Sequence, residues 1–177
     1  MNEPVRVYLS LGSNLGNRQE NLDRALKLLA ERMRLGKVSS IYDTEAVGPV
    51  TQPRFLNLAA EAFTHLKPEG LLALVKGIEQ KMGRYSKTGQ PRIIDIDIIF
   101  YGDQTVNTED LTIPHPEMEK RSFVLIPLAE IAPEAVHPVL KKTVRELNKA
   151  VKEKQGVMRL EEQGVMRLGE QGEIKGE

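Results

Sequence analysis

No cysteine and no tryptophan occur among the 177 residues, aromatics amount to 5%, and formal net charge is +0. Each absence closes off a class of function. Without cysteine there is no disulfide, no thiolate metal site and no cysteine nucleophile, which agrees with a reducing compartment. A neutral chain has no global field to gather nucleic acid, so an anionic ligand must be held by a local cluster of Arg and Lys. The opening "MNEPVRVYLSLGSN" lacks the apolar stretch of a signal peptide, and no run reaches the roughly 18 apolar residues of a spanning helix. What remains is 40% hydrophobic and 28% charged, the balance of one globular domain. The expectation is a cytoplasmic, monomeric domain over residues 1–150, with neither membrane nor nucleic acid as partner, followed by a tail.

Periodicity orders the chain. "RVYLSL" alternates, with Val5, Val7, Leu9 and Leu11 on one face up to a break at Gly12, and predicts a strand. Asn17 and Glu20 form a capping-box pattern ahead of Leu22, Ala25, Leu26, Leu29 and Met33 at helical spacing, with Gly36 as the stop. "KVSSIYDTEA" predicts a second strand and "RFLNLAAEAFTHL" a third, whose Leu56, Leu58, Ala60 and Ala62 face the core while Phe55 and Asn57 point away. Pro68 opens a second helix with Leu71, Leu72, Val75, Ile78 and Met82 along one side, ending at Gly83. Residues 92–101 supply the fourth strand. This β-α-β-β-α-β order is that of a ferredoxin-like α+β sandwich, two helices over one face of a four-stranded antiparallel sheet. Later segments, "EMEKRSFVLIPLAEIAP" and "TVRELNKAVKEK", predict helices that partly cover the second face. From 151 the chain passes from a helix end into "QGVMRLEEQGVMRLGEQGE", a hexapeptide repeated at an eight-residue offset. That offset fits no heptad or solenoid and reads as a mobile local duplication without a function, the alternative being a short partner-binding element.

"PRIIDIDIIF", residues 91–100, is where chemistry concentrates. Side chains alternate along a strand, so Asp95 and Asp97 project from one face, with Cα atoms about 6.5–7 Å apart, while Ile94, Ile96, Ile98 and Phe100 take the core side. Hard oxygen ligands on a rigid strand suit Mg2+, which takes one or two protein carboxylates and completes its shell with water and phosphate oxygens. Two such ions can share the pair. A solvated strand face explains a lone pair of aspartates as well. Arg84, Lys87 and Arg92 precede the pair and Lys120 and Arg121 follow it, a set that matches a polyphosphate or else is surface charge. His115, between prolines in "IPHP", offers a phosphate donor or a proton carrier near pH 7, or is an ordinary loop histidine. "SLGSNLGN" is neither a P-loop nor G-x-G-x-x-G, and tight-turn geometry explains its glycines. Phe55, Asn57 and Phe123 can form a ring-stacking, amide-bonding pocket; the alternative is that the phenylalanines pack the core.

"YLSLGSNLG", "YDTEAVGP", "QPRFLN", "PRIIDIDIIFYGD", "LTIPHP" and "RSFVLIPLAEIAP" together resemble, in order and spacing, the 6-hydroxymethyl-7,8-dihydropterin pyrophosphokinase family of folate biosynthesis. The resemblance implies a ferredoxin-like fold and transfer of the terminal pyrophosphoryl group of ATP to the pterin's hydroxymethyl oxygen, releasing AMP. It further implies that Asp95 and Asp97 bind two Mg2+ ions and that Arg92 and Arg121 engage the transferred groups. Arg84, Lys87, Ile98, Thr112, His115 and Lys120 would serve ATP; Thr44, Val47, Phe55, Asn57 and Phe123 would form the pterin pocket, the two phenylalanines sandwiching the ring. Tyr42 matches a position near that pocket with no role assigned. The chain departs from the family pattern in one place: the loop from Arg84 to Arg92 is shorter, ends "TGQPR", and has neither the usual Trp nor a second arginine, leaving Lys87 as the nearest substitute. The family closes this loop over both substrates. Two rivals fit the residues alone: another two-metal enzyme such as a nucleotidyl transferase or cyclase, and an RNA-binding module that stacks bases on an exposed sheet.

Overall fold

The computed structural model describes residues 3–46, 51–83, 91–151 and 156–160. Strand β1 (Val5–Ser13) is followed by α1 (Arg18–Ala30), β2 (Arg34–Val38), β3 (Tyr42–Thr44), β4 (Phe55–Thr64), α2 (Pro68–Lys81) and β5 (Asp95–Tyr101). A hairpin of β6 (Val106–Asn107) and β7 (Thr112–Ile113) leads through a 3-10 turn, Met118–Lys120, to α3 (Ser122–Ile131) and α4 (Val144–Ala150), and β8 (Met158–Arg159) comes last. The main sheet runs β5-β1-β4-β3-β8, with β2 also on β4, and every pairing is antiparallel. The four expected strands therefore stand in the order fourth, first, third, second of a ferredoxin-like fold.

Local chemistry accounts for the helix ends. Asn17 accepts a hydrogen bond from the Glu20 amide at 3.1 Å, and Pro68 stands in the first turn of α2, where its missing N–H costs nothing. The stripes Leu22, Ala25, Leu26, Leu29 and Leu71, Val75, Ile78 bury against Val7, Leu9, Leu11, Leu58, Ala60, Ile96 and Ile98 of the sheet. Here the structure corrects one expectation: α1 stops at Ala30, and Gly36 lies inside β2. A Cβ on Gly36 would come within 2.2 Å of Glu61 Oε1, the oxygen that accepts the Lys37 amide, so this glycine admits a carboxylate onto the sheet instead of ending a helix.

The second strand is also split. Ser39 turns its hydroxyl onto the Ser40 carbonyl and accepts the Ala59 amide, while the amide and hydroxyl of Ser40 both donate to Glu130 of α3, so the ladder is interrupted between β2 and β3. The fourth strand begins at Asp95, not 92, leaving Arg92 in the preceding loop. Phe100 is the other correction. Tyr8 pairs with Phe100 and Leu9 with Ile98, so Ile99 is an extra residue that reverses the alternation. Phe100 thus leaves the isoleucine side and meets Tyr8 edge-to-face, ring centroids 6.3 Å apart, beneath α3. Tyr101 takes its place on the α1/α2 side and donates to the Leu66 carbonyl at 2.6 Å.

The second face is partly covered, as expected, by α3 and α4, whose Val124, Leu125, Leu128, Val144 and Leu147 pack on Tyr8, Ala59, Ile99 and Phe100. The part near Gly12 is polar: Ser10, Gly12, Asn57, Asp95 and Asp97. Of the tail expected to be mobile, Met158 and Arg159 pair with Asp43 and Tyr42 as an edge strand; the second copy of the repeat lies outside the described residues. Among the described residues no helix is long and apolar enough to cross a membrane.

Candidate active site

Three adjacent strands meet at Gly12. In the ladder it is opposite Asp95 of β5 on one side and Asn57 of β4 on the other, and Ser10 is opposite Asp97. The strand does not break there, as the sequence suggested; it continues to Ser13. What the glycine supplies is space, because a Cβ would stand 2.6 Å from Asn57 Oδ1 and 3.3 Å from Phe55 Cδ1. Asn57 is buried, and its Nδ2 donates to Oγ1 of the fully buried Thr44 at 2.6 Å. The amide group is thereby oriented with its oxygen over Gly12, beside the half-buried Phe55.

On the β5 side the two carboxylates crowd each other. The Asp97 carboxyl is pushed up to about 7, first by burial and then by the negative charges of Asp95 and Glu79, against the pull of Arg121 and Arg92. Arg92 Nη1 donates to Asp95 Oδ1 at 2.8 Å. Arg121, at the junction of the 3-10 turn and α3, lies with its guanidinium carbon 5.7 Å from the Phe123 ring. His115 hangs from β5 through its amide on the Ile99 carbonyl. Its Nδ1 accepts the Glu117 amide at 3.3 Å, which assigns the proton to Nε2. Burial and the neighbouring Arg121 hold its pKa below the usual value, so the ring is a neutral donor near pH 7.

An acidic pair under like-charge stress with two guanidinium groups beside it can take a cation and an anion together. Among the described residues no cluster of three or more His, Asp or Glu side chains occurs. The pair therefore fits an ion that draws the rest of its shell from water and a nucleotide's phosphates, as Mg2+ does, and not a closed structural metal.

Asp95, Asp97, Arg92, Arg121 and His115 converge, and Thr44, Phe55 and Asn57 adjoin them across Gly12. Other expected residues stand apart. The side chain of Ile98 is 4% exposed in the helix-side core, on the face opposite Asp97. Lys120 is exposed, its ammonium 4.0 Å from Glu117. Thr112, exposed on β7, joins His115, Pro114, Glu119 and His137 in lining a cleft of about 470 Å3. Arg84, Lys87 and Val47 lie outside the described residues.

Two further residues shape the site. Asn14, 2% exposed, exchanges backbone and side-chain bonds with Arg92 at 3.0 and 2.7 Å, while its Nδ2 donates to Gln52 Oε1 and the Pro53 carbonyl at 3.1 and 3.0 Å. It ties the segment before Phe55 to the segment before Asp95. Its signal was an asparagine just past a strand that caps no helix, since Asn17 does that. Glu79, 2% exposed, accepts the Ile96 amide at 2.7 Å on the outer edge of β5. An acid four residues after Val75, within an apolar stripe, was its signal.

The fold and this site define a ferredoxin-like domain with the acid-and-arginine equipment of phosphoryl-group transfer. The model of the 7,8-dihydro-6-hydroxymethylpterin-pyrophosphokinase family matches residues 8–133, and the chain belongs to that family. It is 41% identical over 141 residues to the 2-amino-4-hydroxy-6-hydroxymethyldihydropteridine pyrophosphokinase of Aquifex aeolicus, covering 79% of this chain and 88% of the relative. The enzyme of the same name from Bacillus subtilis is 44% identical over 128 residues, 71% and 77% of the two chains. Folic acid synthesis protein FOL1 of Dictyostelium discoideum is 42% identical over 142 residues, 80% of this chain but 22% of that longer protein. Among solved structures, a Plasmodium falciparum HPPK-DHPS shares the fold with a TM-score of 0.70 at 20% identity, over 84% of this chain and 44% of that one.

Proposed function

We propose that the chain transfers pyrophosphate from ATP to 6-hydroxymethyl-7,8-dihydropterin in folate biosynthesis, giving the pterin diphosphate and AMP. Family membership supports the reaction, and family enzymes use ATP as donor. The observation that carries the site assignment is the adjacency, across Gly12 alone, of the carboxylate pair and the Asn57–Thr44 amide pocket. A flat heterocycle lies between Phe55 and Phe123, its N–H edge donating to Asn57 Oδ1. Its hydroxymethyl arm then points across Gly12 toward Asp95 and Asp97. Arg92, Arg121 and the Nε2–H of His115 hold the phosphate oxygens, so the hydroxymethyl oxygen attacks the β-phosphorus in line and AMP departs. Two Mg2+ ions on Asp95 and Asp97, when bound, would neutralise phosphate charge and lower the barrier to deprotonating the attacking hydroxyl.

Cover of part of the second face by α3 and α4 disfavours the RNA-binding reading, because a base-stacking platform needs that face open. The decisive assay incubates protein, Mg2+, ATP and the hydroxymethyl pterin and resolves the products. AMP and pterin diphosphate are expected; ADP, or nucleotide turnover without pterin dependence, would overturn the reading. Monomeric, cytoplasmic action belongs to the same proposal and is checked by light scattering and cell fractionation.

A further inference from the structure

We infer that residues 156–160, within the first copy of the repeated hexapeptide, are a strap that fixes the pterin side of the site. Its loss weakens use of the pterin and leaves use of the nucleotide unchanged. The inference rests on the reading of Thr44, Phe55 and Asn57 as the pterin pocket.

Thr44 belongs to β3, a strand of only three residues whose inner neighbour is β4. A short edge strand held on one side frays easily. The tail supplies the other side: Tyr42 pairs with Arg159 and Asp43 with Met158. Both ends of the strap are fastened. At one, the Leu160 amide donates to the Ile41 carbonyl at 2.8 Å. At the other, Arg54 Nη2 donates to the Gly156 carbonyl at 2.7 Å.

Arg54 also donates through Nε to Asp43 Oδ1 at 2.5 Å and through Nη2 to the Asp43 carbonyl at 3.2 Å. One guanidinium thus joins the tail, β3 and the residue preceding Phe55. At the far end, Arg159 lies 4.0 Å from Glu130, the α3 carboxylate that accepts from Ser40 and from the Tyr42 hydroxyl. Phe123 is the second residue of that helix. The strap therefore touches the supports of both aromatic walls, whereas β5 with its aspartates lies at the opposite edge, beyond β3, β4 and β1.

The repeat dictates the design of the test. Gly156 has φ 55°, a conformation proline cannot adopt, so Gly156→Pro prevents the strap from seating. Residues 163–168 spell the same hexapeptide, so a change in one copy leaves an intact one in the chain, and both must be changed. We expect full-length Gly156→Pro/Gly164→Pro to raise the pterin KM about 3- to 10-fold through lost preorganisation, with kcat and the ATP KM within about twofold of the parent. A chain ending at Lys154 should match it. An unchanged pterin KM in both variants refutes the strap. So does a joint rise of both KM values with a lowered Tm, the mark of general destabilisation. Asn57→Ala separates the two levels: if it leaves the pterin KM unchanged, the pocket reading fails and the strap with it; if it raises that KM while the proline variant does not, the strap alone fails.

Discussion

Asp97→Asn should make the metal-free protein more stable and the enzyme inactive. The carboxyl's folded pKa is raised from 3.8 to about 7, so the folded state prefers its protonated form. The stability this group contributes is complete below about pH 3.8 and is lost as pH rises through about 7. A shift of about three units at roughly 1.4 kcal/mol each sets an upper limit of about 4 kcal/mol. Relaxation and the high effective dielectric of real sites reduce this to about 1–3 kcal/mol. Asparagine keeps the shape and removes the charge. In chelator at pH 8 its Tm should exceed the parent's by about 3–10 °C, since each kcal/mol moves a domain of this size by about 2–4 °C. The parent should lose stability between pH 4 and 7 that the variant does not lose, as measured by thermal melts across that range. With Mg2+ restored, turnover should fall by about a thousandfold or more, the scale of a lost transition-state electrostatic contact. Equal or lower stability at pH 8 with an unchanged pH slope would refute the claim that this carboxylate is held under electrostatic stress.

Gly12→Ala places a methyl group 2.6 Å from Asn57 Oδ1, and the amide must give way. The pterin KM should rise about tenfold or more, the scale of one lost buried polar contact, with the ATP KM little changed in steady-state kinetics. Glu79→Ala strips the Ile96 amide of its acceptor and should cost about 1–3 kcal/mol in urea unfolding. Glu79→Gln keeps an acceptor oxygen and removes a negative charge that raises the Asp97 pKa, so it should lose less stability. Equal losses would show that the hydrogen bond to Ile96 is not what Glu79 contributes.

Apolar periodicity announced α1, α2, β1, β4 and the β-α-β-β-α-β succession because those elements bury one continuous stripe, and a stripe is a local property of the chain. The parity that sets Asp95 and Asp97 on one face is equally local. Gly12 and Gly36 misled because their reason lies on β4: each makes room for a side chain, Asn57 or Glu61, that is remote in sequence. A glycine read alone suggests a turn or a helix stop, and only the partner strand reveals a close approach. Asn14, which bridges the segments at 52–53 and 92, was hidden for the same reason. Ile98 was assigned to the nucleotide by resemblance, against the parity that its own strand imposes.

The bulge at Ile99 shows how one such non-local detail draws the boundary of the site. With strict alternation Phe100 would face α1 and α2, and Tyr8 would have no ring opposite it in β5. The extra residue carries Phe100 to the second face, where Tyr8, Phe100 and His137 stack edge-to-face and α3 closes over them. That aromatic block ends two ladder steps before Ser10 and Asp97, with the Leu9–Ile98 pair between. The carboxylates thus have an apolar wall on one flank, which burial translates into the raised Asp97 pKa, and open polar surface on the other, where a charged substrate can enter. Lying between Ile98 and Phe100, the bulge moves Phe100 to the second face and leaves Asp97 opposite Ser10 on the polar part of that face, so the position of the irregularity, as much as the identity of the aspartates, makes the strand chemically competent.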